Sequence, residues 1–450
     1  MNPINEPAFL ETITSIKPSP RQVAWQAMEF YGFIHYGINS FSGREWGDGR
    51  EDISIFNPQQ LDTDQWCQSM KAAQMTGVIM TVKHHDGFCL WDTKTTEHSV
   101  MHTPYGKDIL AQLAASCKKY DLKLGIYLSP WDQFAPTYGQ GAPYNDYFKA
   151  QLLELLTGYG EVFCLWFDGA NGEGPNGKTQ YYDWNDFYAL IRKHQPNAVI
   201  SVCGPDVRWC GNEGGHCRVS EYSVVPEEMS DKEKIQSLSQ QSDDTAFRER
   251  LTSDREDLGS REFLKDRGPY IWYPAEVNTS IRPGWFYHAA EDEKVRPLEA
   301  LKKIYLGSVG GNATFLLNIP PHFDGYFHSN DVKRLKEMGD WLTETFSQGL
   351  IHNGDMLVLN VGNEHSVEIH LDGPISPKYL VMQEDITQGQ RIEKFECYLI
   401  DNDEPMLVAQ GTVVGHKVIK KITEGITGKK FKIVFSQTRS KPILKNIEMY

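Results

Sequence analysis

At 450 residues the chain is too long for one ordinary domain, and its length implies about two or three. A net charge of -15 opposes non-specific binding to nucleic acid, whose phosphates it would repel. No apolar run approaches the ~20 residues of a membrane helix, so a neutral or small polar partner is expected, with no nucleic acid and no membrane.

After Pro18 and Pro20, residues 21–28 read as a helix leading into an aromatic strand at 29–37, with His35 near its end. Residues 62–75 form a helix on the spacing of Leu61, Trp66, Met70 and Ala73. A strand at 77–82 runs into Lys83-His84-His85-Asp86. A helix at 109–120 precedes a strand at 123–128, which ends in Ser-Pro-Trp-Asp at 129–132. Another helix covers 144–158.

The next run, from Val162 through Phe167, is continuously apolar and is ended by Asp168 and Gly169. Continuous apolarity predicts a strand buried on both faces, as in a parallel sheet. Asp168 then stands at a C-terminal strand end, where α/β folds carry their chemistry. A cap for the following turn is the competing reading. A helix at 183–194 and a strand at 198–202 complete about five strand–helix alternations. That alternation, with polar and aromatic residues after each strand, predicts a (β/α)8-type barrel with one shared rim. No glycine-rich phosphate fingerprint follows the first strand.

Residues 226–268 are charged and polar, and read as a solvated insertion with some helix. Order returns at 270–277 and 282–288, followed by a helix at 298–306, the last barrel strand at 313–319 and a closing helix at 331–346. Short strands separated by turns then follow, at 356–361, 367–371, 379–382, 395–400, 407–414 and 430–435. The expected organisation is a catalytic barrel over 1–345 and an all-β sandwich over 346–450.

The eight cysteines lack the density of a disulfide scaffold, and the spacing of Cys203, Cys210 and Cys217 matches no zinc pattern. Buried thiols and no cofactor are expected. His84, His85 and Asp86 invite a metal reading, but adjacent residues in extended backbone point to opposite sides. Binding of a polar substrate suits His35, His84 and His85 better. Asp168, Glu213 in the glycine-bracketed loop 204–215, and Glu276 after the sixth strand supply carboxylates for glycoside hydrolysis. A solvated loop glutamate is the plain alternative for Glu213, and core packing for Trp285.

Five strings in order resemble the α-L-fucosidases of glycoside hydrolase family 29. They are Phe-Ile-His-Tyr-Gly at 33–37, Lys-His-His-Asp-Gly-Phe-Cys-Leu-Trp at 83–91, Ser-Pro-Trp-Asp at 129–132, Trp-Phe-Asp-Gly at 166–169 and Arg-Pro-Gly-Trp-Phe at 282–286. The resemblance implies a barrel followed by a β-sandwich, and a retaining mechanism through a covalent fucosyl-enzyme. It implies Asp168 as nucleophile, and His35, His84, His85, Trp46 and Trp285 as contacts to fucose, with Tyr127 a further candidate. The loop holding Glu213 resembles the branch selective for α-1,3 and α-1,4 linkages, which makes Glu213 the acid/base and Glu276 the reserve. The implied partner is a fucosylated oligosaccharide or glycoconjugate. Residues 1–10 show no signal peptide, and the resemblance leans toward a periplasmic or secreted location if one was removed. Two other classes stay open: a metal-dependent hydrolase using His84, His85 and Asp86, and an inactive fucose-binding protein.

Overall fold

The computed structural model describes residues 6–352, 356–359, 365–401 and 403–450. The first strands are β1 (Phe30–Ile34), β2 (Gly77–Lys83), β3 (Lys123–Leu128), β4 (Val162–Phe167), β5 (Val199–Val202) and β6 (Arg208–Trp209). An antiparallel ribbon of β7 (Val224–Pro226) and β8 (Tyr270–Trp272) follows, then β9 (Ala275–Ser280) and β10 (Thr314–Asn318). All but the ribbon pair in parallel in the order β5-β4-β3-β2-β1-β10-β9-β6. A parallel bridge between Ser201 and Val207 nearly closes the ring.

Side-chain alternation explains the two cores. Tyr31, Phe33, Tyr127, Cys164, Trp166 and Leu316 point inward and fill the barrel. Phe30, Ile34, Ile126, Leu165, Phe167 and Leu317 point outward and pack with the surrounding helices. Those helices start where the sequence supplies caps: Asp62, Asp108 and Asp183 each accept a backbone N–H three residues on. The described cysteines are all free, and seven of the eight are buried.

Two expectations change. The ordered stretch expected over 270–277 is two strands, separated at Pro274, which lacks an N–H: β8 pairs with β7 and β9 joins the barrel. Glu276 therefore lies within a barrel strand, not after one. The polar insertion is bracketed by the β7–β8 ribbon and holds the short helices Lys232–Leu238, Thr245–Arg248 and Arg261–Leu264. Its inner edge docks on the rim, since a Cβ on Gly169 would lie 1.9 Å from Ser239 Oγ.

The C-terminal strands are β11 (Met356–Leu359), β12 (Ser366–Ile375), β13 (Tyr379–Glu384), β14 (Ile392–Leu399), β15 (Met406–Gly411), β16 (Val418–Lys421), β17 (Gly428–Thr438) and β18 (Leu444–Met449). They form a five-stranded sheet, β11-β12-β17-β14-β15, and a three-stranded sheet, β16-β13-β18. All ladders are antiparallel. Ile369, Phe395, Phe431 and Ile433 from the larger sheet share a core with Leu380, Met382, Val418 and Met449 from the smaller, which makes a sandwich. Residues 360 and 361 of the strand expected at 356–361 lie outside the described residues.

Candidate active site

The loops after β1, β2, β3, β4 and β9 and the end of β10 meet at the C-terminal rim. Asp168 directly follows β4 and is half-buried. Its Oδ2 accepts the Tyr127 hydroxyl at 3.0 Å, and its Oδ1 accepts the Ala170 N–H at 2.8 Å. Tyr127 is fully covered, its ring stacked on Trp166 at 5.2 Å. Two donors thus orient the carboxylate.

His35 follows β1, and its tautomer can be deduced. Asn318, the last residue of β10, spends its NH2 on Ser280 Oγ and the Trp285 carbonyl, both at 2.9 Å. Its Oδ1 must therefore accept from His35 Nδ1, at 2.8 Å, which leaves Nε2 with a free lone pair. His85 follows the same logic. Ser129 Oγ donates to the Trp131 carbonyl at 2.6 Å, so it accepts from His85 Nδ1 at 2.7 Å. Again Nε2 is left as an acceptor.

His84 and His85 do not point to opposite sides. The strand ends at Lys83 and the chain turns at His85-Asp86, so the two rings lie 4.1 Å apart. Beneath them, Lys83 Nζ bonds Asp132 at 2.9 Å with both side chains fully buried, tying the loop after β2 to the loop after β3. His84 Nδ1 has no hydrogen-bond partner. Burial pushes His35 and His85 down to about 4 and His84 well below its ordinary value. All three imidazoles are neutral near neutral pH.

The walls are aromatic. His35 touches Trp285 at 5.1 Å and Phe286 at 5.5 Å, and His85 touches Trp46 at 4.8 Å and Trp131 at 4.9 Å. Trp285 is held by Glu45, which accepts the Trp285 N–H at 2.8 Å, the Phe286 N–H at 3.3 Å and His288 Nε2 at 2.6 Å. Gly284 permits this approach, because a Cβ there would meet Glu45 Oε1 at 2.5 Å. Arg248, from the insertion, reaches Glu45 Oε2 at 3.1 Å.

Glu213 reaches the pocket at Trp285, where its Oε2 accepts the indole N–H at 3.0 Å. Burial raises its carboxyl to about 7; the Trp285 bond opposes that rise, the charge of Asp168 adds to it, Arg248 opposes it and Glu45 adds. The site thus pairs two carboxyl groups in unlike surroundings, which is the arrangement that separates an acid from a nucleophile.

Glu276 is not on this rim. It is fully buried in the barrel interior, where it accepts Tyr31 O–H at 2.5 Å, Trp166 Nε1–H at 2.7 Å and Ser201 O–H at 3.3 Å. Asp86 is turned into the protein, accepting the Phe88 N–H at 2.7 Å and the Asn39 amide at 3.0 Å. Among the described residues no group of three or more His, Cys, Asp or Glu side chains is arranged to hold a metal ion.

Sequence reasoning missed Asn318, Glu45, His288 and Arg248. Asn318 carried a usable signal, a polar residue closing an apolar strand. Glu45 and His288 lie in loops and Arg248 ends the short helix Thr245–Arg248, and nothing in their local sequence points to the pocket.

Residues 50–345 match the family model described as alpha-L-fucosidase. Alpha-L-fucosidase 1 of Arabidopsis thaliana is 35% identical over 466 residues, covering 96% of this chain and 87% of that protein. A crystal structure of a glycoside hydrolase 29 family member from an unknown rumen bacterium is similar at TM-score 0.81 and 35% identity, over 97% of this chain and 77% of that one. A Ruminococcus gnavus family 29 fucosidase solved in complex with fucose matches at TM-score 0.81 and 25% identity, over 97% of this chain and 95% of that one.

Proposed function

The chain belongs to the α-L-fucosidases of glycoside hydrolase family 29, enzymes that act on fucose-containing glycans, and we propose that it is a retaining exo-enzyme for terminal α-1,3- and α-1,4-linked fucose on branched, Lewis-type glycans. Asp168 is the nucleophile and Glu213 the acid/base in this reading. The observation that carries it is the Glu213 carboxylate held on the Trp285 indole N–H at 3.0 Å in a buried setting that raises its carboxyl to about 7, with the charge of Asp168 adding to the rise. At neutral pH a large share of Glu213 therefore holds the proton that a leaving oxygen needs.

Glu213 gives its proton to the glycosidic oxygen while Asp168 attacks the anomeric carbon from the opposite face, forming a fucosyl ester and releasing the aglycone. Glu213, now ionised, takes a proton from water, and that water displaces Asp168. Two inversions return the original anomer. Tyr127 and the Ala170 N–H hold Asp168 on line. The free Nε2 atoms of His35 and His85 accept protons from sugar hydroxyls, His84 offers its unpartnered Nδ1, and Trp46 and Trp285 cover apolar faces of the ring. Support for Glu213 over Glu276 is positional, since Glu276 is enclosed by three donors inside the barrel.

Azide separates the roles. Asp168→Ala abolishes fucose release from an aryl fucoside, and azide restores turnover with formation of the β-fucosyl azide. Glu213→Ala slows natural glycans by about 10²- to 10⁴-fold, and azide then yields the α-fucosyl azide. Full activity in Asp168→Ala sinks the nucleophile assignment. Linkage is tested on 1,2-, 1,3-, 1,4- and 1,6-linked fucosyl oligosaccharides; equal rates on all four refute the proposed preference.

A further inference from the structure

A cavity of about 410 Å³ lies at the seam between β5 and β6, beneath the insertion. β5 ends at Val202 and β6 begins at Arg208, too short a connection for the outer helix that a barrel places there. The insertion covers the seam instead, and Met229, Ile235, Leu238 and Leu258 form the apolar side of the cavity.

Its other side carries unbalanced charge. Arg208 and Arg218 are buried, at 5% and 6% exposure. Both bind one carboxylate, Glu221, at 2.9 and 2.8 Å. Two guanidiniums on one glutamate leave one positive charge without a buried counter-ion, which is costly in a low-dielectric setting. Arg208 Nη1 has no hydrogen-bond partner. The next carboxylate, Glu256, is 58% exposed in its side chain and is engaged by His216 at 3.1 Å. The acidic residues on the cavity edge are also occupied, Glu228 by Lys234 at 3.1 Å and Asp254 by Arg250 at 3.5 Å. Arg255, on the same edge, makes no ion pair among the described residues.

We propose that this cavity is an accessory binding site for a small organic carboxylate, separate from the fucose pocket. The unpartnered Arg208 Nη1 is a charged donor for a carboxylate oxygen, and the apolar wall needs a carbon body that inorganic phosphate lacks. Trp209 lines the cavity, fixes its indole N–H on Asn278 at 2.9 Å and ends the strand from which the Glu213 loop starts.

The test is calorimetry on the whole chain at low salt, with saturating L-fucose to block the catalytic pocket. Glucuronate binds under these conditions, and neutral glucose binds about tenfold more weakly or worse, a difference of about 1.4 kcal/mol. Leu238→Trp fills the cavity from its exposed edge and removes the glucuronate heat, while kcat/KM on an aryl fucoside stays unchanged. Arg255→Ala, at an exposed position that any fold tolerates, weakens glucuronate and leaves glucose alone. The proposal falls if glucuronate gives no heat, if glucose matches it, if fucose displaces it, or if both variants bind as wild type. Because turnover is measured separately, failure here leaves the fucosidase assignment standing.

Discussion

Trp285 serves the carboxylate and the sugar wall at once, so a single substitution separates electrostatics from contact. Its indole N–H bond lowers the Glu213 carboxyl from where burial alone would hold it. Trp285→Phe removes that bond, and a hydrogen bond to a charged group is worth about 1.5–3 kcal/mol, or about 1–2 pH units. The acid must start protonated, so activity is present below its pKa and lost as pH rises through it. The alkaline limb of kcat/KM therefore moves up in Trp285→Phe, and a downward shift would contradict the assignment. The histidines give the opposite limb. His35 and His85, both pushed down to about 4, stay neutral at higher pH and take up a proton as pH falls through that value. KM is expected to be flat above about pH 5 and to rise below it as the Nε2 acceptors are lost.

At the scale of elements, the pocket depends on how loops are clamped to each other. Glu45 joins the loop after β1 to the loop after β9 through the backbone N–H groups of Trp285 and Phe286. Glu45→Ala frees the Trp285 loop, and misplacement of this order lowers kcat/KM by about 10²-fold; Glu45→Gln, which keeps one acceptor, retains more. Helix packing makes a separate prediction. Gly339 lies in the closing helix Ser329–Phe346, and a Cβ there would sit 1.7 Å from the backbone carbonyl of Ala72. Backbone cannot swing aside as a side chain can, so Gly339→Ala costs about 1–3 kcal/mol or more. Thermal melts should show the loss while kcat of the folded fraction is retained. The same contrast explains what was legible. The closing helix was readable from its periodicity, but its contact with the helix Thr63–Ala72 was not, because nothing local marks Gly339 as a packing site.

On the scale of the molecule, the barrel and the sandwich share packing and charge. Val381 and Ile419 of the sandwich join the hydrophobic core of the barrel, and Glu29, just before β1, accepts Lys417 Nζ at 2.5 Å and His416 Nε2 at 3.2 Å. A chain ending after residue 346 exposes that face, so it should melt at lower temperature or aggregate. Equal thermal stability of the truncated barrel would show that the sandwich does not brace it. Charge at long range matters too: Arg248 from the insertion opposes the rise of Glu213, so Arg248→Ala should move the alkaline limb upward as Trp285→Phe does.

The sequence by itself determined the alternation of strands and helices, the change to short strands after residue 350 and the position of Asp168 at a strand end. Hydrophobic periodicity is local, and a continuous apolar run ended by a carboxylate is readable without knowing its neighbours. Only the tertiary structure decided that Glu276 is enclosed in the barrel, that His84 and His85 lie side by side, and that Glu45 and Arg248 meet beside Glu213. Those relations depend on barrel closure and on the docking of the insertion, which bring together residues as far apart in sequence as Glu45 and Arg248. The carboxyl of Glu213 follows the same rule: its shift arises chiefly from burial by residues distant along the chain.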